Sequence, residues 1–192
     1  MIEKTYLGLI LIFFIIAFAV RNIKTYVSIK KSIKGKSIKL TLSVLFSTII
    51  YCLILLRLTF FDPNWILEID LSEYRLINLV GLIFVSAGFV LGILALIAMK
   101  NSWRVGIKYD QKTDLVTTGI YRISRNPYFL SYDILILGYI LIFPSLIMLA
   151  FYIALVIIFH TMILEEEKYL LNVHGKDYIN YKKKVNRYLI MK

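Results

Sequence analysis

The chain has 192 residues, 59% of them hydrophobic and 18% charged, with a mean hydropathy of +0.76. A soluble domain averages roughly 45–50% apolar and about 25% charged, so disorder and collagen-like repeats are excluded, an ordinary globule is disfavoured, and an integral membrane protein is indicated. The formal charge of +11 lies in the segments between apolar runs, which excludes a nucleic-acid tail, and the single cysteine, Cys52, allows neither an intrachain disulfide nor a zinc site.

Crossing a bilayer takes about 20 apolar residues. The first run, residues 6–20, is short. Ala17-Phe18-Ala19 resembles a cleavage site, but Lys4 is offset by Glu3 and the residues that follow are strongly basic, so a retained helix is expected. The second run, 40–61, is interrupted by Arg57 near its outer end, from which a long cation snorkels. The third, 76–99, carries no charge, and its Gly88 and Gly92 make a small-xxx-small pair suited to close helix packing. The fourth, 128–143, contains Asp133; Pro144 and Ser145 break the chain before the fifth, 146–164, with His160 near its end. Five spans are predicted.

Loop charge orients them. Twenty of the 23 Lys and Arg residues fall in three segments, after spans one, three and five, while the opposite side holds Lys4, Arg75, Asp62, Glu68, Asp70 and Glu73. The positive-inside rule then makes the basic segments cytoplasmic and the N-terminus external. The basic run 28–36 reads as a flank meeting anionic headgroups, not as a nucleic-acid patch. The predicted fold is all-α, a polytopic membrane protein with five transmembrane helices and a cytoplasmic C-terminal helical segment. It forms one domain, 1–192, with a three-span scaffold over 1–100 and the chemistry in 101–192.

Three features of that second half bear chemistry. Asp133, buried one to two turns into span four, either faces a polar cavity or pairs with a neighbouring helix through His160. The polar stretch 114–128 leads directly into span four, with Pro127 placed for the first helical turn and Asn126 for its cap. Glu165-Glu166-Glu167 directly after span five opposes the helix dipole unless the helix continues, and the apolar set Leu170, Leu171, Val173 and Tyr178 implies that it does. Such carboxylates either hold a cationic ligand or form a solvated cluster balanced by the basic tail.

The spacing Gly119-x-Tyr121, then Arg125-Asn126-Pro127-x-Phe129, then Glu166-Glu167-x-x-Leu170-x-x-x-His174-Gly175-x-x-Tyr178-x-x-Tyr181 resembles the isoprenylcysteine carboxyl methyltransferase and phospholipid methyltransferase superfamily. The resemblance covers roughly 103–187 and implies a cytoplasmic pocket for S-adenosylmethionine. It implies that Thr113, Asp114, Leu115 and Val116 meet the adenosine portion, that Tyr121, Asn126, Pro127, Tyr128 and Phe129 line the rest, and that Glu167 is the functional carboxylate with Glu166 beside it. A sulfonium is cationic, so a carboxylate and aromatic faces favour it.

Two positions depart from the pattern. Asn126 stands where many members have His, and Met162 where prenylcysteine-modifying members have an arginine, so a carboxylate acceptor lacks its counter-charge. The expected function is methyl transfer from S-adenosylmethionine to a lipophilic acceptor, small molecule or lipid-anchored, arriving through the plasma membrane of a prokaryote. A carboxylate acceptor needs no base; for an amine or thiol, His160, Asp133 and Glu166 are the available bases. No metal and no nucleic acid is implied. A sterol-type reductase using NADPH and a non-catalytic membrane scaffold remain as alternatives.

Overall fold

Each apolar run becomes a helix in the computed structural model, which describes residues 2–59, 67, 69, 75–109 and 111–189. The helices are α1 (Ile2–Ile29), α2 (Ile38–Thr59), α3 (Arg75–Met99), α4 (Pro127–Ile142), α5 (Leu146–His174) and α6 (Lys176–Lys184). Among the described residues there is no strand, only isolated bridges joining Lys34 to Val105 and Ser124 to Asn186. The end of predicted span two at Phe60 and Phe61, the acidic residues Asp62, Glu68, Asp70 and Glu73, and Lys192 lie outside the described residues.

Helices α1, α2, α3 and α5 are long and apolar enough to cross a membrane, so the chain is an integral membrane protein. The fourth expected span is the short one: α4 has 16 residues. That is about 24 Å against a hydrocarbon core of about 30 Å. Helix α1 continues through Arg21 and Lys24, which the sequence reading had placed in a loop. Helix α5 carries on through the three glutamates to His174, so they are mid-helix and meet no dipole penalty. Ser145 caps α5, its side chain accepting from the Met148 N–H at 3.3 Å.

Glycines set the packing of α3 on α4. A Cβ on Gly88 would stand 2.6 Å from the Leu135 backbone nitrogen, and one on Gly138 would stand 2.6 Å from that of Val85. Real Cβ atoms do not come so close, so the backbones touch only because these positions are bare. Gly92 admits the Phe14 ring from α1 in the same way, at 2.6 Å. The sequence pair Gly88 and Gly92 is thus half of a two-helix arrangement that Gly81 and Gly138 complete. Buried aromatic residues, among them Phe14, Tyr132, Tyr139 and Phe159, fill the core around it.

The three basic segments converge at one end of the bundle. The Gly35 N–H donates to the Val105 carbonyl at 2.8 Å and the Val105 N–H to that of Ile33 at 3.0 Å, so the α1–α2 connector lies along residues 103–107. The Trp103 indole donates to Asn22 Oδ1 at 2.7 Å and Gln111 Nε2 to the Ser32 carbonyl at 2.9 Å, tying the same layers together. This connector is a packed part of the structure and not only a charged flank.

A bulky side chain at the α3–α4 contact must push two backbones apart. Gly138→Val is expected to destabilise the detergent-solubilised protein by about 3 kcal/mol. Gly8→Ala, whose added methyl would have no neighbour nearer than 3.9 Å, serves as the control with an unchanged melting midpoint in the same thermal unfolding assay.

Candidate functional site

A cavity of about 390 Å³ opens beneath the basic end of the bundle. Its upper wall is the connector between α3 and α4, including Thr113, Asp114, Leu115 and Val116, closed by Tyr121, Arg125 and Asn126. Tyr128, Phe129 and Tyr132 of α4 and Phe159, Met162, Glu166 and Glu167 of α5 form its sides. Helices α1 and α2 supply the rest, among them Phe14, Ile15, Val44, Ser47 and Tyr51. The wall is therefore not confined to the second half of the chain.

Three consecutive glutamates point in three directions because successive helical residues are turned by about 100°. Glu165 pairs with Lys39, tying α5 to the start of α2. Glu167, with only 8% of its side chain exposed, is held by two arginines. Arg125 donates to its Oε1 from Nη2 at 2.7 Å and from Nε at 3.2 Å. Arg187 donates to Oε1 from Nε and to Oε2 from Nη2, both at 3.0 Å. These bonds raise the Arg187 guanidinium above its ordinary value. Glu166 lines the cavity and, among the described residues, pairs with no cation.

The clamp gathers distant parts of the chain. The Arg125 N–H donates to the Asn186 carbonyl at 2.9 Å, and Ser124 Oγ donates to the Arg187 carbonyl at 3.0 Å. Residues 185–188 thus lie across the entrance to α4 as a strap. Asn126 joins it: its amide donates to the Arg187 carbonyl at 3.2 Å. The expected Asn126 side-chain cap on α4 is not made, although Pro127 does open the helix. Below the strap, Tyr178 and Tyr181 of α6 pack with Val185 and Leu115, and the Tyr181 hydroxyl donates to the Tyr121 carbonyl at 2.7 Å. Burial, then the negative charge of Glu167, pushes the Tyr178 phenol up, and its hydroxyl completes no hydrogen bond.

The predicted site residues Thr113, Asp114, Leu115, Val116, Tyr121, Asn126, Tyr128, Phe129, Glu166 and Glu167 all line this one cavity. Pro127 and His160 do not line it. Of the two alternatives for Asp133, the pair with His160 is not formed and the residue does not line this cavity: His160 Nδ1 is hydrogen-bonded to the Tyr188 hydroxyl at 2.9 Å, and Asp133 Oδ1 is buried without a partner. Of the three groups considered as bases, Glu166 is the one at the cavity. The sequence reading passed over the pairing role of Arg125 and Arg187. The signal available was the balance itself, since a carboxylate at a buried helical position needs cations from somewhere in the chain.

A family model described as phospholipid methyltransferase matches residues 76–177, more than half of the chain. Two rice proteins, from Oryza sativa subsp. indica and subsp. japonica, each called "Probable protein-S-isoprenylcysteine O-methyltransferase", are 31% identical to it over 120 residues. These matches cover 61% of this chain and 63% of each relative, so somewhat less than two thirds of the relatives' length is spanned. The family match takes in the α3–α4 pair, the connector and Glu167.

Removing one partner from a buried ion pair leaves an uncompensated charge, at a cost of about 3–5 kcal/mol. Arg125→Ala is expected to cost that much, and Arg187→Ala less, because its side chain is 16% exposed against 2% for Arg125. Unfolding of the two variants side by side in detergent checks the order.

Proposed function

The chain belongs to the phospholipid methyltransferase family, and we propose that it transfers a methyl group from S-adenosylmethionine to a lipophilic acceptor that reaches the cavity from the bilayer. The observation that carries this reading is the unpaired Glu166 carboxylate beside Tyr121, Tyr128 and Phe129 in one cavity. A half-buried carboxylate that pairs with no cation among the described residues attracts positive charge, and aromatic faces add to the attraction.

The residues present fit the cofactor. The polar end offers Asp114, Glu166 and the unsatisfied Tyr178 hydroxyl, with the strip 113–116 along one side. Bound there, S-adenosylmethionine would supply an electrophilic methyl group. Glu166 supplies the counter-charge, whereas Glu167 is neutralised by its arginines and acts by holding the strap, the α4 entrance and α5 in register. Its role thus shifts from contact carboxylate to positioning residue. The apolar end, walled by α1, α2 and α4, takes the hydrophobic part of the acceptor. Ile15 and Val44 line the cavity while 36% and 47% exposed, which makes the gap between α1 and α2 the lateral way in. In-line transfer then requires chiefly that the acceptor atom be held against the methyl. Where the acceptor must lose a proton, Glu166 is the group at hand. A five-span topology, with α4 as a short span, agrees with the alternation of loop charge, and the positive-inside rule would then put the basic end in the cytoplasm.

Calorimetric titration of the detergent-purified protein with S-adenosylmethionine, and separately with NADPH, tests the reading. Saturable S-adenosylmethionine binding, weakened about tenfold in Glu166→Gln at an unchanged melting midpoint, is expected from the loss of one charge-assisted contact. Binding of NADPH instead, or of neither by folded protein, rejects it.

A further inference from the structure

Helix α6 and the strap begin at a residue of unusual backbone. Gly175, between α5 and α6, stands at φ 52° and ψ −119°, a conformation that glycine alone adopts readily. A Cβ added there would meet no atom within 4 Å. Gly88 and Gly138 are bare because a helix presses on them, whereas Gly175 is bare because the chain turns on it. Beyond the turn, Tyr178, Tyr181 and Val185 form a small apolar cluster with Leu115 and Leu170, separate from the main core. A unit with so small a core of its own opens at less cost than the whole molecule.

Its charged fastening is doubled. Arg125 and Arg187 both hold Glu167, but Arg125 belongs to the approach to α4 and Arg187 to the strap. When the strap leaves, Arg125 stays on Glu167 Oε1, so no buried carboxylate is stranded. Arg187, whose side chain is already 16% exposed, passes into water. A further fastening lies away from the cavity. The Tyr188 hydroxyl reaches His160 Nδ1 of α5 at 2.9 Å, with the ring centroids 6.1 Å apart. Burial pushes the Tyr188 phenol up and the charge of Asp133 adds to it, so the unpartnered Asp133 carboxylate stands within electrostatic reach of this bond. Neither His160 nor Asp133 lines the cavity, whereas Tyr178 and Tyr181 do.

We infer that residues 176–188 are a lid on the polar end of the cavity, turning about Gly175 and latched to α5 by the bond between Tyr188 and His160. Swinging α6 away takes two tyrosines out of the cavity wall and admits water to its polar end, while the apolar end keeps its walls. The latch therefore sets how often that end opens to a charged, water-soluble ligand. Tyr188 and His160 are positioning residues, since they act through the lid and not on a ligand. The inference goes beyond the proposed function and takes from it only that the cavity is a binding site.

Hydrogen exchange of the detergent-purified protein, read by mass spectrometry, tests this without any cofactor, so failure of the methyltransferase reading leaves the outcome unaffected. Peptides over 176–188 are expected to exchange as one unit and faster than those of α4 and of α5 before Gly175. Tyr188→Phe should speed that unit about tenfold, the loss of one hydrogen bond, with α4 and α5 unchanged. His160→Ala should do the same, and the double variant no more than the larger single one; it carries the test should Tyr188→Phe fail to fold. In a Cys52→Ser, Leu115→Cys background, the thiol beneath α6 should react with sulfonatoethyl methanethiosulfonate faster by a similar factor once the latch is removed. Unchanged exchange in both latch variants, acceleration confined to 186–188 or spread through α4 and α5, or an unchanged rate at the Leu115→Cys thiol overturns the inference.

Discussion

Glu167 held between Arg125 and Arg187 is the interaction on which the arrangement of the site depends. One carboxylate joins the segment just before α4, the last third of a 29-residue helix and a segment at the far end of the chain. Buried pairs of this kind add little net stability, because desolvation offsets attraction. What they add here is geometry. Two guanidinium forks on two oxygens fix direction as well as distance, so the strap lies where its carbonyls can take the Ser124 hydroxyl and the Asn126 amide. With the strap in place, Tyr178 and Tyr181 of α6 line the polar end of the cavity.

Close approach of α3 and α4 makes the same site possible from the other direction. A 16-residue helix cannot bridge a bilayer comfortably by itself. Pressed backbone to backbone against the 25-residue α3, it is held in a fixed register on that longer helix. Gly92 does a second job by letting Phe14 reach across to Tyr128 and Tyr132, which builds the aromatic wall of the cavity.

Much of this was legible in the sequence because it follows from local rules. Apolar length gave the long helices, Pro127 and Ser145 gave two helix starts, and the apolar residues after Glu167 gave the continuation of α5. The connector strip and the aromatic residues near Asn126 do share one cavity, as the resemblance implied. Pairings at long range were not legible. Nothing in the sequence assigns Lys39 to Glu165, or Arg187 rather than water to Glu167, since any of many cations satisfies a carboxylate equally well on paper. Asn126 shows the same limit in small: its type suits a helix cap, but the cap is absent and its amide N–H donates to a carbonyl of the strap sixty-one residues away. His160 and Asp133 sit at similar depth on neighbouring spans, yet the ring turns to Tyr188, on a segment that no span count would have brought there.

The three glutamates show how a helix divides labour among identical side chains. Rotation by about 100° per residue sends one to the α2 lysine, one to the cavity and one to the two arginines. The first and third are paired with cations, so of the three it is the middle one that lines the cavity without one. Had the helix ended at the membrane surface, all three would have faced water and the dipole together, and none would be differentiated. The extension of α5 beyond its apolar stretch converts a charge run into two struts and one carboxylate that lines the cavity. Beneath that carboxylate the cavity changes character within about two turns, from charged groups to neutral hydroxyls among aromatic rings.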